Sequence, residues 1–341
     1  MNGDMHRRQL IAVLGAGLFA GCSGSDSLET TTEEASTDKT ETANESDASE
    51  DGSTTESESA QTEVRVGDRV DDDQMSMVVR DVRETEQVGE FSEAGSGNTF
   101  TVVRLAVKNT TEDTYLNVSG FLQTLLKDES DYTYEQSITG TGQTFTGGQL
   151  VPGEVARGDI VYEVPKDASG LSLQFDFETV SFLNVDRVSV DLESEANSAA
   201  DLKQDLQVDV RDEGDSVSNG GVGVTVNGVE FTEKVGDFSE AEEDKEFAIV
   251  DITTKNETGS SQTISTALQM LAKDGRGRAY PMSISAVASL DRSYDESSPL
   301  ADGEKRRGKV AYEVPKDASP LYWAFEFSLW TNGDKTLWKL R

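Results

Sequence analysis

The stretch Tyr162-Glu163-Val164-Pro165-Lys166-Asp167-Ala168-Ser169 occurs a second time, unchanged, at Tyr312-Glu313-Val314-Pro315-Lys316-Asp317-Ala318-Ser319. The copies start 312 − 162 = 150 residues apart, long enough for one domain per period. In each copy the Tyr and Val stand two residues apart and so share one face of a strand. A proline cannot donate to a β-ladder, so each strand ends at Pro165 or Pro315. Lys-Asp-Ala-Ser then turns the chain. Beyond the turn, Leu171, Leu173, Phe175 and Phe177 in one copy, and Leu321, Trp323, Phe325 and Phe327 in the other, alternate as half-buried strands do. Each copy therefore reads as a strand–turn–strand hairpin kept for folding, and the chain as two versions of one β-rich domain.

The match extends outward. Val88–Ala94 corresponds to Val235–Ala241, and Asn109 to Asn256, both 147 residues on. Lys127-Asp128 corresponds to Lys273-Asp274, Pro152-Gly153-Glu154 to Asp302-Gly303-Glu304, and Arg157-Gly158 to Arg307-Gly308. Offsets drifting between 146 and 150 place length changes in the loops between equivalent strands. Met75, Met77 and Val79 read as the first strand of repeat 1; Phe100–Val107, Phe121–Leu126, Val155–Val164, Leu171–Phe177 and Phe182–Leu192 follow. About seven short strands per repeat predict an all-β protein: two tandem immunoglobulin-like antiparallel β-sandwiches, residues 64–193 and 217–341. Residues 194–216 read as an acidic linker, in which Glu195–Leu206 also admits helix.

The N-terminal region reads as an address. In residues 1–21, Arg7 and Arg8 precede an apolar run, Leu10–Ala20, too short to span a bilayer. This fits a signal peptide, and the arginine pair fits twin-arginine export. Phe19-Ala20-Gly21-Cys22 resembles a lipobox, with Cys22 as the lipidated residue; the other reading is an ordinary signal peptide with an incidental cysteine. Residues 22–63 are almost all Ser, Thr, Glu, Asp and Ala, with little to bury, and read as a disordered tether extended by like charges. The expected location is the extracellular face of the cell membrane, held by a lipid anchor.

The 65 acidic and 30 basic residues give a net charge of −35. This charge strains a compact fold in dilute buffer and is screened at molar salt. The composition resembles that of extreme halophiles, and it disfavours nucleic acid as a partner. His6 is the only histidine and Cys22 the only cysteine. Ser-His-Asp and Cys-His nucleophiles, Cys/His zinc sites and disulfides are thereby excluded from the two domains. No glycine loop of the phosphate- or dinucleotide-binding kind is present, so neither cofactor nor metal is expected.

Val66-Gly67-Asp68, Lys108-Asn109, Leu126-Lys127-Asp128, Pro152-Gly153-Glu154 and Tyr162-Glu163-Val164-Pro165 together resemble a telokin-like domain family of unknown function, found in bacterial and archaeal envelope lipoproteins. The resemblance covers both repeats. It implies an immunoglobulin-like fold and supplies no catalytic residues.

Several candidate sites stand out. Lys305, Arg306, Arg307 and Lys309 form a basic cluster, either a docking patch for an anionic glycan or envelope protein or an edge strand guarded by charge. Asn44, Asn109, Asn117 and Asn256 head N-glycosylation triplets. Asp71-Asp72-Asp73 lacks the spaced ligands of a calcium loop and reads as a solvated turn. Trp323 reads as core, and Trp330 as either core or a sugar platform. The leading expectation is a non-enzymatic surface protein whose sandwiches bind another envelope component. The alternatives are an accessory or solute-binding lipoprotein of a transporter and a carboxylate-based extracellular hydrolase, which needs two carboxylates about 5–9 Å apart in a cleft.

Overall fold

The computed structural model describes residues 61–89, 92–118, 124–176, 187–329 and 333–341. Arg7, Arg8, Cys22, Asn44, the tether up to residue 60, Phe121, Phe182 and Trp330 lie outside the described residues.

Repeat 1 contains β1 (Gln61–Val66), β2 (Arg69–Asp71), β3 (Met75–Thr85), β4 (Gln87–Val88), β5 (Ser92–Glu93), β6 (Asn98–Asn109) and β7 (Leu116–Val118). It continues through β8 (Thr124–Lys127), β9 (Thr133–Tyr134), β10 (Gly148–Leu150), β11 (Val155–Pro165), β12 (Ser172–Asp176) and β13 (Arg187–Glu195). Repeat 2 contains β14 (Ser216–Asn219), β15 (Val222–Thr232), β16 (Lys234–Val235), β17 (Ser239–Glu240), β18 (Lys245–Asn256) and β19 (Met270–Asp274). It ends with β20 (Ala279–Tyr280), β21 (Lys305–Pro315), β22 (Leu321–Phe325) and β23 (Thr336–Lys339). Two one-turn helices, α1 (Thr266–Gln269) and α2 (Ile284–Ala288), were not signalled by the sequence pattern; Ser265 and Ser283 cap them.

In repeat 1 the sheet β11-β6-β3-β2 packs on the sheet β1-β13-β12-β8-β9. Both sheets feed one core, with Leu105, Tyr162 and Met77 from the first against Leu126, Phe175 and Val188 from the second. Repeat 2 packs β14-β15-β18-β21 on β20-β19-β22-β23 in the same way. The fold is all-β and each repeat is a β-sandwich. The strands of the octapeptide end at Pro165 and Pro315 as the proline requires. Its tyrosines are fully buried: the Tyr162 hydroxyl bonds Thr124 Oγ1 at 2.6 Å, and the Tyr312 oxygen accepts the Trp323 indole N–H at 2.9 Å.

Three features depart from the sequence reading. The first strand is β1, ahead of Met75, and it pairs with β13 in parallel, so this sheet is mixed rather than antiparallel throughout. Glu195–Leu206 forms no helix. The acidic segment after β13 is also not a free spacer. Ala196 and Ala200 donate to the carbonyls of Val66 and Gly67, Asp205 and Gln207 to those of Gly153 and Pro152, and Arg211 to that of Leu337. Leu202 is buried against Val78, Ala106 and Val155 on the outer face of the first sheet. Burying such a side chain is worth about 1.5–3 kcal/mol, enough to offset ordering the backbone of one or two residues.

Candidate functional site

The junction of the repeats is built on the turn Pro152-Gly153-Glu154. Gly153 has φ +77°, and a Cβ there would lie 1.7 Å from the Asp205 carbonyl oxygen, so only glycine admits the linker. Glu154 Oε2 accepts the Val151 N–H at 2.8 Å. Repeat 2 closes its turn identically, with Glu304 Oε2 on the Ala301 N–H at 2.9 Å. The other oxygen differs. Glu304 faces solvent and takes Arg306 at 3.1 Å. Glu154 is fully buried against repeat 2, where its Oε1 accepts the Lys335 ammonium at 2.7 Å and the Lys273 ammonium.

Burial raises the Glu154 carboxyl, but Lys273 and Lys335 more than reverse this and hold it at about 2. Burial pushes Lys273 down to about 8, against the opposing pull of Glu154. Val151, Ala324 and Leu337 seal the cluster, with Leu206 and Val208 of the linker beside them. Glu326 lies at its rim, raised by burial, and accepts the Gln149 N–H at 3.1 Å. Gln149 Oε1 in turn accepts the Lys335 backbone N–H at 2.5 Å. Both Glu154 oxygens are committed to intramolecular donors, so this carboxylate joins the domains and cannot reach a substrate.

Beside this lock a cavity of about 440 Å³ opens between the repeats. Repeat 1 contributes Arg80, Arg104 and Arg157, the linker Lys203, and repeat 2 Arg276 and Arg278. Arg80 is the extra residue of a β-bulge between Val79 and Asp81, which turns its side chain out of the ladder register. Arg157 Nε donates to the Arg276 carbonyl at 2.6 Å, and its Nη2 to Asp201 at 2.9 Å and to the Leu202 carbonyl. Burial lowers the Arg157 pKa; Asp201 opposes this, while Arg80 and Arg278 add repulsion. Arg104 lies on Asp159 at 2.9 Å, and Arg80 shares Asp201 with Arg157. Among the described residues no carboxylate pairs with Arg276, Arg278 or Lys203.

The expected basic patch falls elsewhere, on β21. Arg307 forks onto Asp251 at 2.9 and 2.8 Å. Arg306 Nη1 donates to the Asp295 and Ser298 carbonyls at 2.9 and 2.7 Å, and Lys309 lies 3.8 Å from Glu230. Lys305 is exposed. Arg307 and Lys309 line the equivalent cleft of repeat 2, with Lys234 and Arg292 opposite Glu230, Asp251 and Asp291.

Two glycosylation triplets take a different role from the one expected. Asn109 and Asn256 are fully buried. Asn109 Nδ2 donates to the Thr114 and Leu150 carbonyls at 2.7 and 3.0 Å, and Asn256 Nδ2 to those of Ser260 and Leu300, both at 2.7 Å. Their Oδ1 atoms accept from Thr111 and Thr258. A glycan on either Nδ2 would break these bonds and has no room, so both asparagines pin core turns. Asn117 is exposed on β7. Trp323 and Trp338 are buried 5.4 Å apart, centroid to centroid. Asp71 takes Arg69 and Ser76, each at 2.5 Å.

A pair of β-sandwiches locked by a buried ion cluster, with a cationic cavity at the seam, defines a tandem-domain protein with a composite interdomain surface. The family described as Domain of unknown function (DUF4352) matches residues 64–182 and again 212–335, and the chain belongs to it. Solved structures similar to parts of it include an uncharacterized β-sandwich protein of Clostridium difficile (16% identity, TM-score 0.29, 43% of this chain and 100% of that one). Others are the secreted protein MPT63 of Mycobacterium tuberculosis (15%, TM-score 0.31, 38% and 95%) and ycdA of Bacillus subtilis, called "a putative lipoprotein" (13%, TM-score 0.30, 55% and 72%). No curated protein matches the sequence.

Proposed function

We propose that this is a non-enzymatic protein of the cell surface, exported by its twin-arginine signal and anchored through Cys22, whose two sandwiches act as one body to bind another envelope component. The observation that carries the reading is the lock at Glu154, Lys273 and Lys335, which joins the sandwiches and lets residues from both build one surface. A tether with independent beads would not need a buried charge cluster between them, because burying ions is costly unless their geometry is held. The acidic stalk ahead of β1, residues 22–60, would carry this body clear of the membrane.

The test is amine crosslinking in intact cells at their growth salt, followed by mass spectrometry. One recurrent partner joined through Lys203, or through Lys305 and Lys309 of the basic strand, is the expected result. Links only within the chain or to scattered neighbours would remove the docking reading and leave a spacer.

A further inference from the structure

We propose that the cavity at the seam is an oxyanion-binding site, taking a ligand that carries two or more carboxylate, sulfate or phosphate groups. This deepens the reading above and rests on it only for exposure at the cell surface. The chain holds 65 acidic and 30 basic residues, yet six cations and a single carboxylate, Asp201, line this cavity. With Asp159 behind Arg104, Asp81 beside it and Asp274 under the turn of Arg276 and Arg278, the neighbouring carboxylates are still fewer than the six cations. Like charges gathered this closely repel one another, and in a chain so rich in acids that repulsion would be simple to relieve. It is left standing.

The fold does not require this excess. The equivalent cleft of repeat 2 is larger, about 660 Å³, and sets four cations against three acids. Asp251 there occupies the position of Arg104, paired to β21 as Arg104 is paired to β11. Arg157 has its counterpart in Arg307, but the excess of cations over acids belongs to the seam and is not shared by the repeats.

The lining also divides by task. Arg157 and Arg80 hold the linker through Asp201 and the Leu202 carbonyl. Arg276 and Arg278 sit on the turn after β19, whose backbone is fixed by Asp274 Oδ1 at 2.9 and 2.8 Å. Their guanidinium groups have no acceptor among the described residues, and Lys203 enters from the linker. A guanidinium presents a planar fork that suits two oxygens of one oxyanion. Cations drawn from three segments can meet several such oxygens at once. The volume lies in the range of small-molecule pockets, about 300–1,000 Å³.

The experiment uses the full chain at constant ionic strength, with chloride as reference and sulfate, phosphate, citrate and sulfated dextran as probes, read by calorimetry and thermal melting. Citrate or an inorganic oxyanion binding above chloride is expected, weakened about tenfold or more in the double variant Arg276→Ala/Arg278→Ala. Both side chains lie outside the core, so the variant keeps the wild-type fold, and Lys203→Glu provides a second, independent loss. Binding of sulfated dextran alone places the oxyanions on a polymer; binding of free ions places them on a solute. Sulfate also stabilises proteins by exclusion from their surface, so only the part of the melting shift that the variants abolish counts. Probe affinities equal to chloride, or equal in wild type and both variants, would overturn the site. A crosslinked partner without anion binding would sink this inference and leave the docking reading intact; anion binding without a partner would do the reverse.

Discussion

Glu154→Gln separates the lock from the rest of the fold. The substitution preserves shape and removes the carboxylate that pairs directly with two buried ammonium groups. Holding a carboxyl at about 2 instead of its ordinary 4.5 favours the ionised form by about 3 kcal/mol, at about 1.4 kcal/mol per tenfold in proton affinity. Breaking one partner of a buried pair costs about 3–5 kcal/mol, so the two routes agree on a loss of about 3 kcal/mol at pH 7. Lys273→Met should behave oppositely. It leaves Glu154 paired with Lys335 and removes the ammonium that burial disfavours, so stability at pH 7 stays level or rises. The folded Glu154 pKa is depressed, so its contribution is present above about 4.5 and is lost as pH falls toward about 2. Lys273 is lowered to about 8 from 10.5, so the unfolded chain holds its proton longer, and this group's penalty is relieved as pH rises across that window. The assay is urea unfolding followed by two signals. All three tryptophans, Trp323, Trp330 and Trp338, lie in repeat 2, so fluorescence reports that repeat while far-ultraviolet circular dichroism reports both. The two transitions should coincide in the wild type and separate in Glu154→Gln. Molar salt should leave the loss in place, because buried charges are screened far less than exposed ones. Equal midpoints for Glu154→Gln and the wild type, or an equal loss in Lys273→Met, would refute the reasoning.

Gly158→Ala places a Cβ 2.2 Å from the Phe145 Cα, where residues 143–145 cross β11, and should cost about 1–3 kcal/mol in a thermal melt. Gly303→Ala, at φ +76° in open space, isolates backbone strain alone and should cost about 1–2 kcal/mol. If Gly158→Ala melts like the wild type, the crossing is looser than the structure has it. With a net charge of −35, dialysis into dilute buffer should abolish the β-sheet dichroism and molar salt should restore it. Full structure in dilute buffer would contradict this.

The repeated octapeptide determined much by itself. Tyr162, Val164 and Pro165 specify a buried strand and its end by rules that operate within a few residues, and the alternating Leu173 and Phe175 specify the strand that follows. Two such sets, 150 residues apart, make two sandwiches. The triplet at Asn109 reads in sequence as a glycan acceptor, and only the buried bonds of its side chain assign it to a core turn; its recurrence at Asn256, in the same frame, is the signal for the core that the sequence does carry. β1 was not legible: Gln61–Val66 is an edge strand whose partner, β13, lies more than a hundred residues away.

The junction belongs to tertiary structure, although a trace of it is written in the repeats. Val151 and Pro152 become Ala301 and Asp302 in the otherwise matching turn, because the first turn is buried against a neighbour and the second meets water. The partners of Glu154 stand 119 and 181 positions away, and the cavity gathers cations from residue 80 to residue 278. Periodicity reports which face of a strand is buried. It does not report which face of one domain meets another, because that choice depends on two completed surfaces, and here the linker that brings them together is itself folded onto both.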